Sequence, residues 1–238
     1  ILFSRGLIRR VGLILPNAQG VYDQVAIYKN KKENQPIATL KKDEFVEGVV
    51  DEAIKNDKHY VVARNMRVLD IAEDGSSMRM WISAAIDRHD DSVFSPRSLH
   101  QEIIEHIGCP MPVANLGAVD KQLIVDCMQE NWLRTMRWWA DGLHYMIEQK
   151  GVEVIFSHVH NDDAQKHMFL KFAKENGGGA LSVEDYREFL ANISKQNDYY
   201  IGRFLHLLDE GWTIFLVSDH GLTCSEEGQS YMAGPGVD

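Results

Sequence analysis

Two short apolar runs constrain this chain more than anything else in it. They are Val152-Glu153-Val154-Ile155-Phe156 and Trp212-Thr213-Ile214-Phe215-Leu216-Val217, and each is followed at once by a cluster of imidazole and carboxylate side chains. Near-continuous apolar runs of this length are the pattern of strands buried on both faces of a parallel sheet. Between them the pattern predicts a helix over 185–208, stopped by Gly211. Strand, helix, strand in that order is a βαβ unit, right-handed by default. In such sheets the chemistry gathers at the carboxyl ends of the strands. The expected fold class is therefore α/β: an incomplete parallel-sheet core over 93–238, preceded by a small α+β cap or insertion over 1–92.

The clusters have the composition of metal sites. The first run leads into Ser157-His158-Val159-His160-Asn161-Asp162-Asp163-Ala164-Gln165-Lys166-His167, the second into Ser218-Asp219-His220-Gly221, and together they hold four of the ten histidines. Neighbouring strands lie about 4.8 Å apart, so ligands at their tips converge on one ion or on two close ions. Imidazole plus carboxylate without thiolate suits zinc, manganese or iron in a hydrolytic site. Asp163 and His167 are four apart, so a helix beginning at Asp163 stacks both on one face. Asp162 is the competitor, five residues from His167 and off that face. Asp219 and His220 suit a turn leaving a strand, and Gly221 lets the backbone pass closely. His158 and His160 flank Val159, and the expectation is that at most one of them faces the site. Two ions about 4 Å apart would clamp the attacking and leaving oxygens of a phosphoryl transfer.

Ser218-Asp219-His220-Gly221 after an apolar strand resembles the S-D-H-G signature of the alkaline phosphatase superfamily, and more closely its type I phosphodiesterase / nucleotide pyrophosphatase branch. The Asp163…His167 pair at the end of an earlier strand, Asp198 and Gly202 on the intervening helix, and Phe94-Ser95-Pro96 ahead of Ile107-Gly108-Cys109-Pro110 match in the same style. The resemblance covers roughly residues 94 to 221. It implies a parallel alkaline-phosphatase-like core and two divalent metal ions, zinc or alternatively manganese. It also implies a Thr or Ser nucleophile that forms a covalent phospho-enzyme, and a small-molecule phosphate ester as substrate. By carry-over, Asp163 and His167 bind one ion, and Asp219 and His220 the other. Nothing before residue 20 reads as the family's early aspartate and nucleophile, and no histidine follows His220. The chain thus reads as a piece of a longer enzyme, carrying half an active site and not turning over alone. A phosphomutase, sulfatase or phosphonate hydrolase of the same superfamily is the nearest alternative. A non-catalytic metal-binding or interaction domain, or a structural domain with incidental histidines, is the alternative from another class.

Composition narrows the partners. The net charge of −10 argues against a nonspecific nucleic-acid binder, which needs a basic face. It leaves a phosphorylated small molecule open, because a bound metal inverts the local sign. No apolar run approaches the roughly 18 residues of a membrane span. The stretch Val11–Pro16 is too short for a signal-peptide core. A cytoplasmic location and no membrane partner are the expectations. Cys109, Cys127 and Cys224 are scattered and read as free thiols. The start at Ile1-Leu2-Phe3 and the turn-like Gly234-Pro235-Gly236-Val237-Asp238 read as cut ends.

Elsewhere, strands are predicted at 24–28, 60–63, 66–72 and 79–85. Helices are predicted over 45–54, from Ser95-Pro96 to about Ile107, and over 120–150. The last carries Ile124, Met128, Trp132, Met136, Trp139, Leu143 and Ile147 on one stripe. Trp132, Trp138 and Trp139 read as core. Lys29, Lys31, Lys32, Lys41 and Lys42 read as solvated turns, and Asn192-Ile193-Ser194 as a chance glycosylation triplet.

Overall fold

The computed structural model describes residues 2–3, 8–112, 120–169 and 182–221. Cys224 and residues 234–238 lie outside them. Helices and antiparallel sheets are mixed, so the chain is α+β at this level, and it divides into two units, 1–114 and 115–238. The expected boundary at 92/93 falls inside the first unit, which keeps helix α1 (Leu99–His106).

The first unit is built of hairpins. A short pair, β1 (Leu2–Phe3) and β2 (Ile8–Arg9), precedes a sheet of β3 (Val11–Pro16), β4 (Tyr22–Tyr28) and β5 (Ala38–Lys41) in that order. A second sheet orders β6 (Phe45–Lys55), β7 (Lys58–Ile71) and β8 (Met78–Ile82), with β9 (Ile86–Asp87) also on β7. Every ladder is antiparallel. Val25 and Ile27 of β4, Leu40 of β5, Val49 of β6, and Met66, Val68 and Ile71 of β7 form one apolar core shared by both sheets. Each such burial contributes about 1.5–3 kcal/mol. Arg10 reaches Asp51 through Nη2 at 2.6 Å and Nε at 3.0 Å, a buried bidentate pair tying the start of β3 to β6.

The helix predicted over 45–54 is instead strand β6, and a bulge explains the misreading. The register shifts between Val46 and Val49, and Gly48 there adopts φ 62° while its N–H donates to Asn65 Oδ1. One extra residue puts Val46 and Val49, three apart, on the same inward face. That spacing imitates a helical period. The strands expected at 60–63 and 66–72 are one strand, β7. The strand expected at 79–85 ends at Ile82. Helix α1 starts at Leu99 rather than at Pro96, after a turn in which Leu99 N–H donates to the Pro96 carbonyl.

The second unit is helical. A π-helical segment, Leu123–Gln129, runs into α2 (Glu130–Lys150). Ile124, Met128, Trp132 and Met136 of the predicted stripe are buried. Gly151 ends α2 at φ 64°, and its N–H and that of Val152 cap the Ile147 and Met146 carbonyls. Helix α3 (Asn161–Phe169) and helix α4 (Val183–Gly202) follow, then a 3-10 turn, Leu205–Leu208. Ser182 and Asp185 cap α4 reciprocally.

The parallel sheet expected of this unit is not formed among the described residues. Residues 152–156 and 212–217 join no ladder, and the parallel contact recorded is an isolated bridge, Lys42–Val68, in the other unit. Apolar, β-branched composition supplies a strand's side chains, but its hydrogen bonds must come from a neighbour. Val152, Ile155, Trp212 and Ile214 are half-buried, whereas Val154, Phe156, Phe215 and Val217 are 82–91% exposed. No described helix is long and apolar enough to cross a membrane.

Candidate functional site

Helix α3 opens at Asn161, which brings Asp163 and His167 onto one face within its first two turns. His167 Nε2 lies 2.9 Å from Asp163 Oδ1. Asp162 turns away and pairs with Lys166 at 2.6 Å, an i,i+4 pair on the outer face. The helical period thus separates the two adjacent aspartates as their spacing predicts.

The second cluster is a tight turn. Ser218 Oγ donates to the His220 carbonyl at 2.7 Å, and the His220 N–H donates to Asp219 Oδ1 at 3.1 Å. His220 Nε2 stands 3.7 Å from Asp219 Oδ2. The two clusters approach each other where His158 Nε2 lies 4.0 Å from Asp219 Oδ2, and within the first cluster His160 Nδ1 is 3.4 Å from Asp163 Oδ2. The His220 imidazole is held above its ordinary value. The Gly221 carbonyl is the largest cause, and the carboxylates of Asp219 and Asp163 add to it. Negative potential from both clusters therefore reaches one ring.

The expectation that at most one of His158 and His160 faces the site fails. Their rings meet edge to face at 4.6 Å, and each is turned toward a carboxylate of the site. Residues two apart lie on the same side of an extended segment, so the spacing of His158 and His160 about Val159 itself puts both rings together.

Two further features escaped the sequence reading. Ser157 Oγ and the Tyr200 hydroxyl are 2.6 Å apart, and burial raises the Tyr200 phenol above its usual range. Beneath α3 lies a network of buried amides. Gln165 Nε2 donates to Gln196 Oε1 at 2.8 Å, and Asn161 Nδ2 donates to Asn197 Oδ1 at 2.8 Å and Gln196 Oε1 at 3.2 Å. Gln196 Nε2 donates to the Gln129 carbonyl, and Asn192 Nδ2 to Gln129 Oε1. Asn161 and Gln165 are fully buried. Their i,i+4 spacing on the inward face of α3 was the available signal. Asn192, the acceptor of the chance glycosylation triplet, is engaged inside this network.

The donor set fits a divalent ion of the zinc or manganese type, since it offers imidazole nitrogen and carboxylate oxygen. Asp163 Oδ1 is buried and makes no hydrogen bond, although His167 Nε2 stands beside it. Two bonds of about 2.1 Å at the tetrahedral angle span about 3.4 Å, so the pair would open by about half an ångström to take an ion. Among the described residues, no three His, Cys, Asp or Glu side chains already surround one point as a closed metal shell does. Cys127 is buried and Cys109 half-buried, both free.

Comparison with known proteins finds no matching family model, no matching curated protein and no matching solved structure.

Proposed function

We propose that the chain is part of a two-metal phosphoric-ester hydrolase of the phosphodiesterase / nucleotide pyrophosphatase type. The observation that carries this reading is the convergence of two sequence-distant Asp–His pairs, Asp163–His167 and Asp219–His220, through His158 and His160. Two divalent ions, zinc or manganese, would lower the pKa of a Thr or Ser nucleophile and steady the leaving oxygen of a small phosphate ester. Asp163 and His167 would hold one ion, Asp219 and His220 the other. Helix α3 sets the orientation of the first pair. The Ser218–His220 turn sets that of the second. The nucleophile is not assigned to any residue of this chain, so the chain is expected to bind ions and phosphate without turnover.

The finer fold reading belongs to the same proposal. In it, residues 152–156 and 212–217 are neighbouring strands of a parallel, alkaline-phosphatase-like sheet completed by further strands. Its support is the apolar composition of both runs and the exposure of Val154, Phe156, Phe215, Leu216 and Val217, side chains that such a sheet would cover.

A zinc-edge anomalous difference map from zinc-soaked crystals tests the ion sites. Peaks are expected against Asp163–His167 and against Asp219–His220, about 4 Å apart. Inorganic phosphate is expected to tighten zinc binding, since both would share one site. Absence of both peaks would overturn the reading. Zinc binding that phosphate leaves unchanged would replace it with a non-catalytic metal-binding domain.

A further inference from the structure

We infer that His158 and His160 are metal ligands, so that each carboxylate of the site shares its ion with two imidazoles: Asp163 with His160 and His167, Asp219 with His158 and His220. The inference rests on the two-ion reading and extends its ligand set.

Every one of these four ring nitrogens lies within 4.0 Å of an oxygen of its carboxylate. The separations are 3.4 Å and 2.9 Å around Asp163, and 4.0 Å and 3.7 Å around Asp219. Val159, between the two histidines, packs against the cluster of Met136, Ala140 and Tyr200. With Val159 anchored inward, the flanking rings are left on the other side, where they touch each other at 4.6 Å. Both side chains are 56% exposed, so ring rotation to close a shell displaces no packed neighbour. His106 and His144 each set a ring nitrogen against a backbone carbonyl, His106 Nδ1 at 2.8 Å from that of Glu102 and His144 Nε2 at 3.0 Å from that of Arg203. His158 and His160 instead have Asp219 and Asp163 as their polar neighbours. Two imidazoles and one carboxylate are the donor set of three-ligand catalytic zinc sites, in which a fourth position stays open for water or substrate. In this chain the open positions would receive phosphoryl oxygens.

The test uses the whole 238-residue chain, stripped with a chelator and titrated with zinc. Zinc-edge X-ray absorption then counts imidazoles per ion. The expected result is about two imidazoles per zinc, falling toward one as His158→Ala and His160→Ala are combined. Each single variant is expected to weaken one zinc at least about tenfold, since even outer-shell partners of metal ligands have that effect. Asp162→Asn is expected to leave count and affinity unchanged. About one imidazole per zinc in the unaltered chain, or unchanged affinity in both single variants, would overturn the inference and leave the two-ion reading standing. No zinc bound by the unaltered chain would overturn both.

Discussion

The first unit is closed on itself and the second is not. In residues 1–114 the apolar side chains of β4, β5, β6 and β7 meet in one core, and two buried charges, Arg10 and Asp51, satisfy each other. In residues 115–238 the helices bury an apolar stripe, yet α3 is docked on amides, and Phe156, Phe215 and Val217 stand in solvent. A unit built of hairpins finds its hydrogen-bond partners nearby in sequence. Parallel strands need partners from far away. The contrast explains why the first unit pairs its apolar strands with one another while, among the described residues, the second holds its Asp–His clusters beside unpaired runs.

The largest predicted effect sets core against uncovered run. Leu40→Ala is expected to cost about 3 kcal/mol, because Leu40 is fully buried between the sheets. Phe215→Ser is expected to stay within about 0.5 kcal/mol and to raise solubility. Amide hydrogen exchange over residues 58–71 and denaturant midpoints would check the pair. A destabilising Phe215→Ser would erase the contrast.

Next comes the amide dock. Gln196→Leu removes the acceptor shared by Asn161 and Gln165 and the donor to the Gln129 carbonyl. The expected cost is about 2 kcal/mol, the penalty of leaving buried polar groups unmade. Faster exchange confined to 161–169 and to the facing part of α4 would localise it.

The smallest effect is electrostatic. The Lys121 ammonium, with the Ser182 N–H and hydroxyl, lowers the Asp185 carboxyl to about 2. An unfolded aspartate titrates near about 3.9. The pair therefore contributes above about pH 4, and its contribution is lost as the pH falls to about 2. Acid titration of helicity, comparing the natural chain with Lys121→Met, should show a difference at pH 5 that vanishes by about pH 2.

Much of the second unit's helical layout was legible. The stripe from Ile124 to Ile147, the stop at Gly151 and the four-residue step from Asp163 to His167 all follow from a 3.6-residue period, which depends on local spacing alone. What escaped depends on partners. The bulge at Gly48 is defined by its register against β7, so the spacing of Val46 and Val49 read as helix. The runs at 152–156 and 212–217 have strand composition, but a ladder is a property of two chains of atoms. His158 and His160 were assigned opposite faces, although residues two apart share one side of an extended segment. The amide network joins Gln129, Asn161, Gln165 and Gln196 across three separate segments, and beyond the four-residue step from Asn161 to Gln165 nothing local marks those segments as neighbours.

That network has a consequence for the helix that bears Asp163 and His167. Amides carry no net charge at any ordinary pH, and their hydrogen bonds are directional. Helix α3 is therefore moored by groups that neither salt nor protons can screen or neutralise, while the imidazoles and carboxylates above it respond to both. A change of salt or pH therefore leaves the mooring of Asp163 and His167 in place.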